Sequence, residues 1–352
     1  MKKHPLIAVF LILTVSFVLL ETTKTRVNAP DYEEKLQAAE LTYACHREIH
    51  QLKLDRGVSM DANNDINGTG LIGQDYSTIT TTLGNLEAKR TSTNPNMAAV
   101  VVDMFHELGL KAGDKIAINC SGSFPALNIA VMCAAQTLEL DVIQFSSFGS
   151  STHGANDPEL TFLDMEHHLY EKGLIRHHSD KFSIGGMEDM GKEMPQEVKD
   201  EIVQRIKGLG YDYFEDDDLL HNVRTRYEMY RDYGEIKCFV NVGGNDASFG
   251  DSSVMVHTDG GVLTELSKKD RSVGLVQLFL KDGTPVIHLL NIKSLATEYG
   301  LPIDPIPLPK VGQGQVYYDY TYHLSIAGAG LGLSVLVLIL CRKELKIRPK
   351  RR

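Results

Sequence analysis

Two long apolar runs stand at opposite ends of the chain, and neither contains a charged residue. The first covers residues 5–20 and the second covers residues 324–341. A helix that crosses a bilayer needs about 20 apolar residues. The first run follows a basic start and has no small-residue cleavage pattern beside it, which favours a retained signal anchor over a cleaved signal peptide. The second run ends in a dense basic tail, which favours a stop-transfer helix over a buried core helix.

Between the two runs, segments with helical periodicity alternate with short apolar strands. The pattern predicts helices at residues 31–56, 97–108, 125–138, 160–172, 195–209 and 219–233. It predicts strands at residues 115–119, 141–146, 236–242 and 285–289. This alternation is typical of βαβ units, so the predicted fold class is α/β, with a mainly parallel Rossmann-like sheet flanked by helices and one transmembrane helix at each end.

The predicted sheet also indicates where a ligand would bind. In open α/β sheets, ligands lie beyond the carboxyl ends of the strands. The loops at residues 121–124, 147–156 and 243–251 follow three of the predicted strands. We therefore expect these three loops to converge.

The chain is predicted to have five parts. They are a signal-anchor helix at residues 1–23, an extracytoplasmic α/β domain of one or two lobes at 24–301, a connector rich in proline and tyrosine at 302–323, a second transmembrane helix at 324–341, and a basic cytoplasmic tail at 342–352. Proline cannot sustain a helix or a central strand, so the connector is expected to be stiff and extended.

Charge is distributed unevenly along the chain. The whole chain has a formal charge of −10; Lys2 and Lys3 contribute +2 and residues 342–352 contribute +6, which leaves −18 for the part between them. Positive charge on short flanks marks the cytoplasmic side of a membrane. We therefore expect two spans in a bacterial inner membrane, with both termini in the cytoplasm and the main domain outside. A domain this acidic repels nucleic acid, so no nucleic-acid partner is predicted.

Neither a disulfide framework nor a metal site is indicated. Four of the five cysteines fall in the central domain, namely Cys45, Cys120, Cys133 and Cys238. No pair has metal-ligand spacing, and they are interpreted as small core residues, although an oxidising compartment permits disulfides. Residues 61–68 resemble the start of a calcium loop, but Ile66 and Ile72 replace the glycine and the acid that such a loop requires. An ordered turn is favoured there, and no metal or cofactor is predicted.

A turn of small polar residues follows the predicted strand at 115–119. Ser121, Gly122 and Ser123 precede a helix that begins at Pro125, and proline suits the first turn of a helix. Ser123 can cap this helix, or the free N–H groups there can bind a carboxylate or phosphate. Either serine can also be a nucleophile, although the G-x-S-x-G pattern of hydrolases is absent. Capping, anion binding and covalent catalysis all stay open for this turn.

The loop after the predicted strand at 141–146 carries Ser150, His153 and Asn156. Ser150 and Asn156 are candidate ligand contacts. His153 is a candidate general base for a catalytic serine, and a surface histidine without a chemical role is the alternative.

Asn245 and Asp246 follow two glycines at the end of the predicted strand at 236–242. Glycine lets the backbone approach a ligand closely, so these two residues are candidate polar contacts. A tight turn stabilised by their side chains is the alternative.

Two adjacent cations, Lys89 and Arg90, precede Thr91 within the acidic domain. Pairing with nearby carboxylates is the ordinary explanation for such cations. Contact with an acidic ligand is the other, and all three residues are candidate ligand-binding residues.

Several motifs together give the chain a family resemblance. They are TGLIG at 69–73, LEAKRTSTNPN at 86–96, SGSFPALN at 121–128, GANDP at 154–158, LDME at 163–166 and PVIHLLNI at 285–292. With these motifs, the chain resembles the poly-gamma-glutamate system protein family, a membrane component encoded alongside poly-γ-glutamate synthesis genes. The segment at 245–249 departs from the glycine-rich form expected in that family. The resemblance implies a role in making or exporting poly-γ-glutamate, with the membrane, γ-glutamyl chain ends and other synthesis proteins as partners, and it implies no catalytic residues.

Two functional hypotheses follow, and they leave open whether the protein is an enzyme. The first is an accessory membrane protein whose external domain binds γ-glutamyl chains, with the 121–124 loop as a binding point. The second is an extracytoplasmic γ-glutamyl hydrolase or transferase that uses Ser121 or Ser123 with His153. A small-ligand sensor is disfavoured, because a tail of eleven residues leaves little room for an effector domain.

Overall fold

The computed structural model of the chain describes residues 4–250, 258 and 260–341. The predicted basic tail at 342–352 and the last residue of the predicted loop at 243–251 lie outside these residues. The described residues form two compact units. One unit contains the two ends of the chain, up to Pro30 and from Tyr318 onward, and the other is Asp31–Tyr317.

Twelve α-helices are found among the described residues, with short 3₁₀ turns at Met187–Asp189 and Gln315–Tyr317. In chain order they are α1 His4–Thr23, α2 Tyr32–Arg56, α3 Leu86–Ser92, α4 Met97–Glu107, α5 Pro125–Thr137, α6 Phe162–Glu171, α7 Gln196–Gly208, α8 Leu219–Asp232, α9 Asp246–Phe249, α10 Leu275–Lys281, α11 Ile292–Glu298 and α12 Leu324–Leu340. The strands are β1 Thr25–Asn28, β2 Lys115–Ser121, β3 Asp141–Ser147, β4 Asn156–Asp157, β5 Leu160–Thr161, β6 Lys181–Ser183, β7 Asp212–Tyr213, β8 Ile236–Val242, β9 Gly261–Leu263, β10 Val286–Leu289 and β11 Tyr318–Thr321.

The unit made by the two chain ends contains two apolar helices and a two-stranded ribbon. Within α1, the segment Pro5–Thr23 is long and apolar enough to cross a membrane. The C-terminal helix α12 contains no charged residue and is shorter, at 17 residues. Strand β1 pairs antiparallel with β11, and Gly330 of α12 packs closely against Ser16 of α1.

The second unit is built around a seven-stranded sheet in the order β7, β6, β3, β2, β8, β10, β9. Neighbouring strands are parallel, except for the antiparallel edge pair of β10 and β9. The prediction of a mostly parallel α/β sheet flanked by helices is confirmed. From β2 the chain builds outward to β3, β6 and β7, and it then returns to add β8 and β10 on the other side of β2. The strand order therefore reverses between β2 and β8.

Apolar central strands explain why this sheet is buried on both faces. Ile116, Ala117 and Ile118 of β2 are fully buried in succession, as a parallel strand covered by helices on both sides requires. On one face, the Phe239 ring stacks on the Phe279 ring at a centroid distance of 4.4 Å. The Tyr230 hydroxyl in the same cluster donates to the Ile118 carbonyl at 2.9 Å, which satisfies a polar atom that would otherwise be costly to bury.

Helices α2, α4 and α5 pack against one another. Cys45 of α2 and Cys133 of α5 are buried there, with their Sγ atoms 3.9 Å apart. Cys120 and Cys238 lie on β2 and β8 and are also buried. All four are free thiols in the interior, as predicted for core residues.

The proline-rich segment after residue 301 lies against the α/β unit instead of leaving it as an extended connector. The Arg90 guanidinium forms a bidentate ion pair with Asp304, the Asn67 amide donates to the Pro305 carbonyl at 2.9 Å, and the Asn96 amide donates to the Lys310 carbonyl at 3.1 Å. Proline-rich backbone forms no internal hydrogen bonds, so its carbonyls are available to such side-chain donors. The compact unit consequently extends to Tyr317.

Candidate functional site

A cleft lies at the carboxyl ends of β2 and β8, where the strand order reverses. Two cavities form it, with volumes of about 560 and 180 Å³. They share the lining residues Thr82, Ser123, Gly244, Asn245 and Asp246. Parallel α/β sheets bind ligands at such switch points. All three loops that we expected to converge contribute residues to this cleft.

The two arms of the cleft differ in chemistry. We call the larger cavity the lysine arm, because Lys89 and Lys293 line it together with the apolar side chains of Phe124 and Phe249. We call the smaller cavity the hydroxyl arm. Its lining includes Thr81, Ser121, Ser147 and Glu193.

Lys89 is the most unusual side chain of the lysine arm, since only 2 % of its surface is exposed. Its Nζ donates to the Ser123 carbonyl and to Ser151 Oγ, the latter at 2.7 Å, and it lies 3.9 Å from the centre of the Phe124 ring. Among the described residues, no carboxylate oxygen lies within 4.0 Å of this amine. Burial lowers the pKa of Lys89 to about 7. Burying a lysine without a carboxylate partner costs free energy of folding. A functional role is a common reason why such a residue is retained.

The other two residues of the predicted cationic segment lie elsewhere. Arg90 is bound to Asp304, and the Thr91 hydroxyl accepts the Asp304 backbone N–H at 3.0 Å. Neither lines the cleft. The ordinary explanation, pairing with a carboxylate, therefore describes Arg90, whereas Lys89 one residue earlier has no such partner.

The serine turn after β2 is held by the neighbouring loop. Ser123 Oγ accepts the Ser151 backbone N–H at 3.0 Å, and Ser121 Oγ accepts the Ser123 N–H at 3.4 Å. Ser123 does not cap α5, because Phe124 occupies the N-cap position and makes no side-chain bond there. At Gly122, a Cβ atom would lie 2.7 Å from the Phe148 carbonyl oxygen, so the close approach of the two loops requires glycine.

Ser150 and Asn156 have structural partners instead of facing the cleft. Ser150 Oγ donates to the Gly122 carbonyl at 3.0 Å. The Asn156 amide accepts the Gln74 N–H at 2.8 Å and donates to Thr80 Oγ1 at 3.0 Å. Both residues thus fix the loops that form the cleft wall.

His153 and the two serines are not brought together. The His153 backbone is in the left-handed region, at φ 62°, and its Nδ1 lies 3.5 Å from Asp75 Oδ1. Within the described residues, its ring makes no hydrogen bond to Ser121 or Ser123. Desolvation by burial lowers the pKa of His153, which keeps its imidazole neutral, the form that a general base requires. The described residues therefore contain no hydrogen-bonded pair of His153 with Ser121 or Ser123, and the Ser/His pair stays a prediction.

Asn245 and Asp246 lie where both arms meet. Asn245 caps the short helix α9, since its Oδ1 accepts the Ser248 N–H at 2.8 Å. Asp246 Oδ2 accepts the Glu188 N–H at 2.7 Å. Burial raises the pKa of Asp246, and the nearby carboxylates of Asp189, Glu193 and Glu188 raise it further.

Several lining residues escape prediction from sequence. Thr81 and Thr82 belong to a loop far upstream of the sheet, and Glu193 belongs to a loop beyond β6. Lys293 comes from α11, directly after β10. Lys293 could have been found from its position just after a predicted strand. No local feature of the sequence identifies the two threonines as lining residues.

The described residues contain no group of three or more His, Cys, Asp or Glu side chains arranged to hold a metal ion. The calcium-like segment at 61–68 forms an ordered turn, which is the interpretation that the sequence favours. The Asp65 carboxylate accepts the backbone N–H groups of Thr69 and Gly70 at 2.9 and 2.6 Å.

Comparison with protein-family models, with curated proteins and with solved structures gives no match. The functional argument therefore rests on the cleft itself.

Proposed function

We propose that this protein is a membrane-anchored accessory component of poly-γ-glutamate synthesis or export, and that its α/β unit binds γ-glutamyl chains in the cleft. Lys89 is the observation that carries the proposal. A buried amine at the switch point of a parallel sheet, with no carboxylate partner within 4.0 Å in the described part of the chain, is suited to a ligand that supplies the carboxylate.

The hydrogen bonds of Lys89 leave room for such a ligand. A protonated lysine has three N–H donors, and Lys89 uses two of them on Ser123 and Ser151. A ligand carboxylate in the lysine arm would accept the third. It would also offset the cost of charging a buried amine, so binding and protonation of Lys89 would support each other.

The arrangement of the chain ends supports anchoring by both apolar helices. Strand β1 follows α1, strand β11 precedes α12, and the two strands run antiparallel. Because the ribbon joins the end of α1 to the start of α12, these two helix ends lie on the same side of a membrane that both helices cross. In this proposal both termini face the bacterial cytoplasm and the α/β unit lies outside, as the basic flanks favour.

The binding proposal is tested on the full-length protein in detergent by isothermal titration calorimetry with short γ-glutamyl oligomers. We expect Lys89→Met to weaken binding at least tenfold, because a charge-assisted hydrogen bond contributes about 1.5–3 kcal/mol. Lys237→Met is the matched control, since it removes an exposed lysine paired with Glu235. Equal affinity of the wild type and Lys89→Met, or no binding by either, would contradict the proposal.

A genetic experiment tests the cellular role. Deleting the gene while retaining the polymer synthetase should abolish surface poly-γ-glutamate. An unchanged amount and length of polymer would refute it.

The alternative of a γ-glutamyl hydrolase or transferase gains no support from the geometry. Its nucleophile would be Ser121 or Ser123 and its base His153. The His153 Nδ1 lies 3.5 Å from Asp75 Oδ1, and the ring makes no hydrogen bond to either serine within the described residues.

A further inference from the structure

We infer that the hydroxyl arm binds an ammonium group, so that the ligand is an α-amino acid or the free amino end of a peptide chain. This inference rests on the proposed function and specifies which part of a γ-glutamyl chain the cleft takes. Two observations carry it independently of each other. One is an unpartnered hydroxyl and the other is an unbalanced set of carboxylates.

The unpartnered hydroxyl is that of Ser147, the last residue of β3. This residue is only 2 % exposed, and it lines the hydroxyl arm. Its Oγ has no hydrogen-bond partner within the described part of the chain. A buried hydroxyl without a partner costs roughly 1–3 kcal/mol, which a ligand donor would recover.

Carboxylates outnumber cations around the same arm. Glu188 is paired with Lys192, and Asp189 forms a buried ion pair with Arg226. Within the described ranges, the remaining two carboxylates, Asp246 and Glu193, have no cationic side chain within 4.0 Å. Both line the hydroxyl arm.

The acceptor groups of the hydroxyl arm match an ammonium group. Asp246 accepts one backbone N–H through Oδ2, which leaves Oδ1 available. Both Glu193 oxygens accept the Met187 backbone N–H at 3.1 Å, and each has a further lone pair. Asp246 Oδ1, Ser147 Oγ and the Glu193 carboxylate together give this arm three groups that can accept from an ammonium ion. A metal ion is a poorer match, because the described residues provide no cluster of three metal-ligating side chains.

The proposed ligand would place one group in each arm. Ser123, Gly244, Asn245 and Asp246 line both cavities, so the two arms adjoin each other at these residues. A carboxylate at Lys89 and an ammonium at Asp246 would then belong to neighbouring groups of the same molecule. The amino-terminal residue of a γ-glutamyl chain has this combination, whereas an internal residue has carboxylates alone.

The test compares two γ-glutamyl oligomers of equal length, one with a free amine and one N-acetylated, by titration calorimetry of the full-length protein in detergent. We expect acetylation to weaken binding at least tenfold, or about 1.4 kcal/mol. L-Glutamate and glutarate, which differ by the amino group, provide a second matched pair. The same preference is expected for glutamate.

Three variants show which residues cause the preference for the free amine. Asp246→Asn should reduce the preference for the free amine to within about threefold, because asparagine keeps the acceptor for the Glu188 N–H and loses the charge. Lys89→Met should weaken both oligomers equally. Asp282→Asn, at an exposed ion pair with Arg231, controls for the loss of a negative charge elsewhere.

The outcomes separate the two proposals. Equal affinity for the free and acetylated oligomers, or tighter binding of the acetylated one, would overturn the ammonium site and leave the binding function standing. Failure of the wild type to bind either oligomer would overturn both. A preference for the free amine that survives in both Asp246→Asn and Glu193→Gln would also overturn the ammonium site.

Discussion

Replacing Lys89 with methionine should reverse the stability order of the variant and the wild type between pH 7 and pH 10. Lysine has an ordinary pKa of 10.5, and burial lowers the pKa of Lys89 to about 7 in the folded protein. Between these two values the unfolded chain holds one proton more than the folded chain. Wild-type stability therefore rises with pH across this window, because proton binding favours the unfolded state.

The size of the effect follows from the same two values. Each pKa unit corresponds to about 1.4 kcal/mol, so Lys89 lowers the stability near pH 7 by on the order of 4 to 5 kcal/mol relative to pH 10.5. Methionine has a similar shape and no proton to bind. It also leaves the Ser123 carbonyl and Ser151 Oγ without their donor, at a cost of about 1–3 kcal/mol at every pH.

These two contributions have opposite signs. Near pH 7 the variant should be the more stable protein, by roughly 1–3 kcal/mol, since the lost penalty exceeds the lost hydrogen bonds. Near pH 10 it should be the less stable one, by up to about 2 kcal/mol, because less than about 1 kcal/mol of the penalty remains there. Urea unfolding of both proteins in detergent at pH 7, 8, 9 and 10 measures the difference. Circular dichroism is the appropriate signal because the chain contains no tryptophan.

The comparison between the two proteins cancels the titration of other groups. Lys237→Met serves as the control, since Lys237 is exposed and its removal should not change the slope between pH 7 and pH 9. A Lys89→Met variant that is less stable than the wild type by the same amount at every pH would refute the reasoning. It would mean that the amine remains fully charged in the folded protein or is already neutral in both states.

Two further changes test other parts of the structure. Asp189→Asn should destabilise the α/β unit by about 3–5 kcal/mol in urea unfolding, because Arg226 is left charged and buried. Adding Arg226→Met should restore part of the lost stability. A single variant as stable as the wild type would contradict this prediction. Gly330→Leu should separate the two apolar helices, since even a Cβ atom would lie 2.7 Å from Ser16 Cβ. It should lower the detergent concentration at which the helix pair dissociates, whereas Gly332→Leu, with nothing within 4 Å of its Cβ, should not.

The long elements of the α/β unit can be predicted from local pattern. The predicted strand at 236–242 coincides with β8, and the helix predicted at 219–233 ends within one residue of α8. Strands β6, β7 and β9 contain only two or three residues each. Such short segments carry too few alternating positions to signal a strand, and their pairing partners lie far away in sequence.

The candidate site likewise has one part that the sequence predicts and one part that it does not. The three strand-end loops could be predicted to converge, because parallel strands place their carboxyl ends at one edge of the sheet. The roles of Lys89 and Arg90 could not be separated by sequence, since the two are adjacent. Tertiary structure alone places Asp304 beside Arg90 and leaves Lys89 without a carboxylate in the described chain.

Composition alone also leads to a wrong prediction of where the segment after residue 301 lies. A run of prolines is compatible with a free spacer and with a strap along a surface, because both are extended. The side chains that distinguish the two are Arg90, Asn67 and Asn96, which bind this segment from more than 200 residues away. Periodicity within the segment carries no information about such donors.

The charge of the α/β region bears on the proposed binding of a polyanion, and on which part of that polyanion the cleft would take. The part of the chain between the basic ends carries a formal charge of −18, which repels a polycarboxylate at long range. Inside the cleft, Lys293 is already paired with Glu87, and Lys89 titrates near pH 7. The described residues of the cleft therefore offer no row of unpaired cations along which a chain could lie, whereas a chain end with one carboxylate and one ammonium avoids most of the repulsion. Salt screens exposed charges over about 10 Å at 0.1 M and affects buried contacts much less, so end binding should depend weakly on ionic strength. An affinity that falls steeply with salt would instead indicate a cationic groove along the polymer.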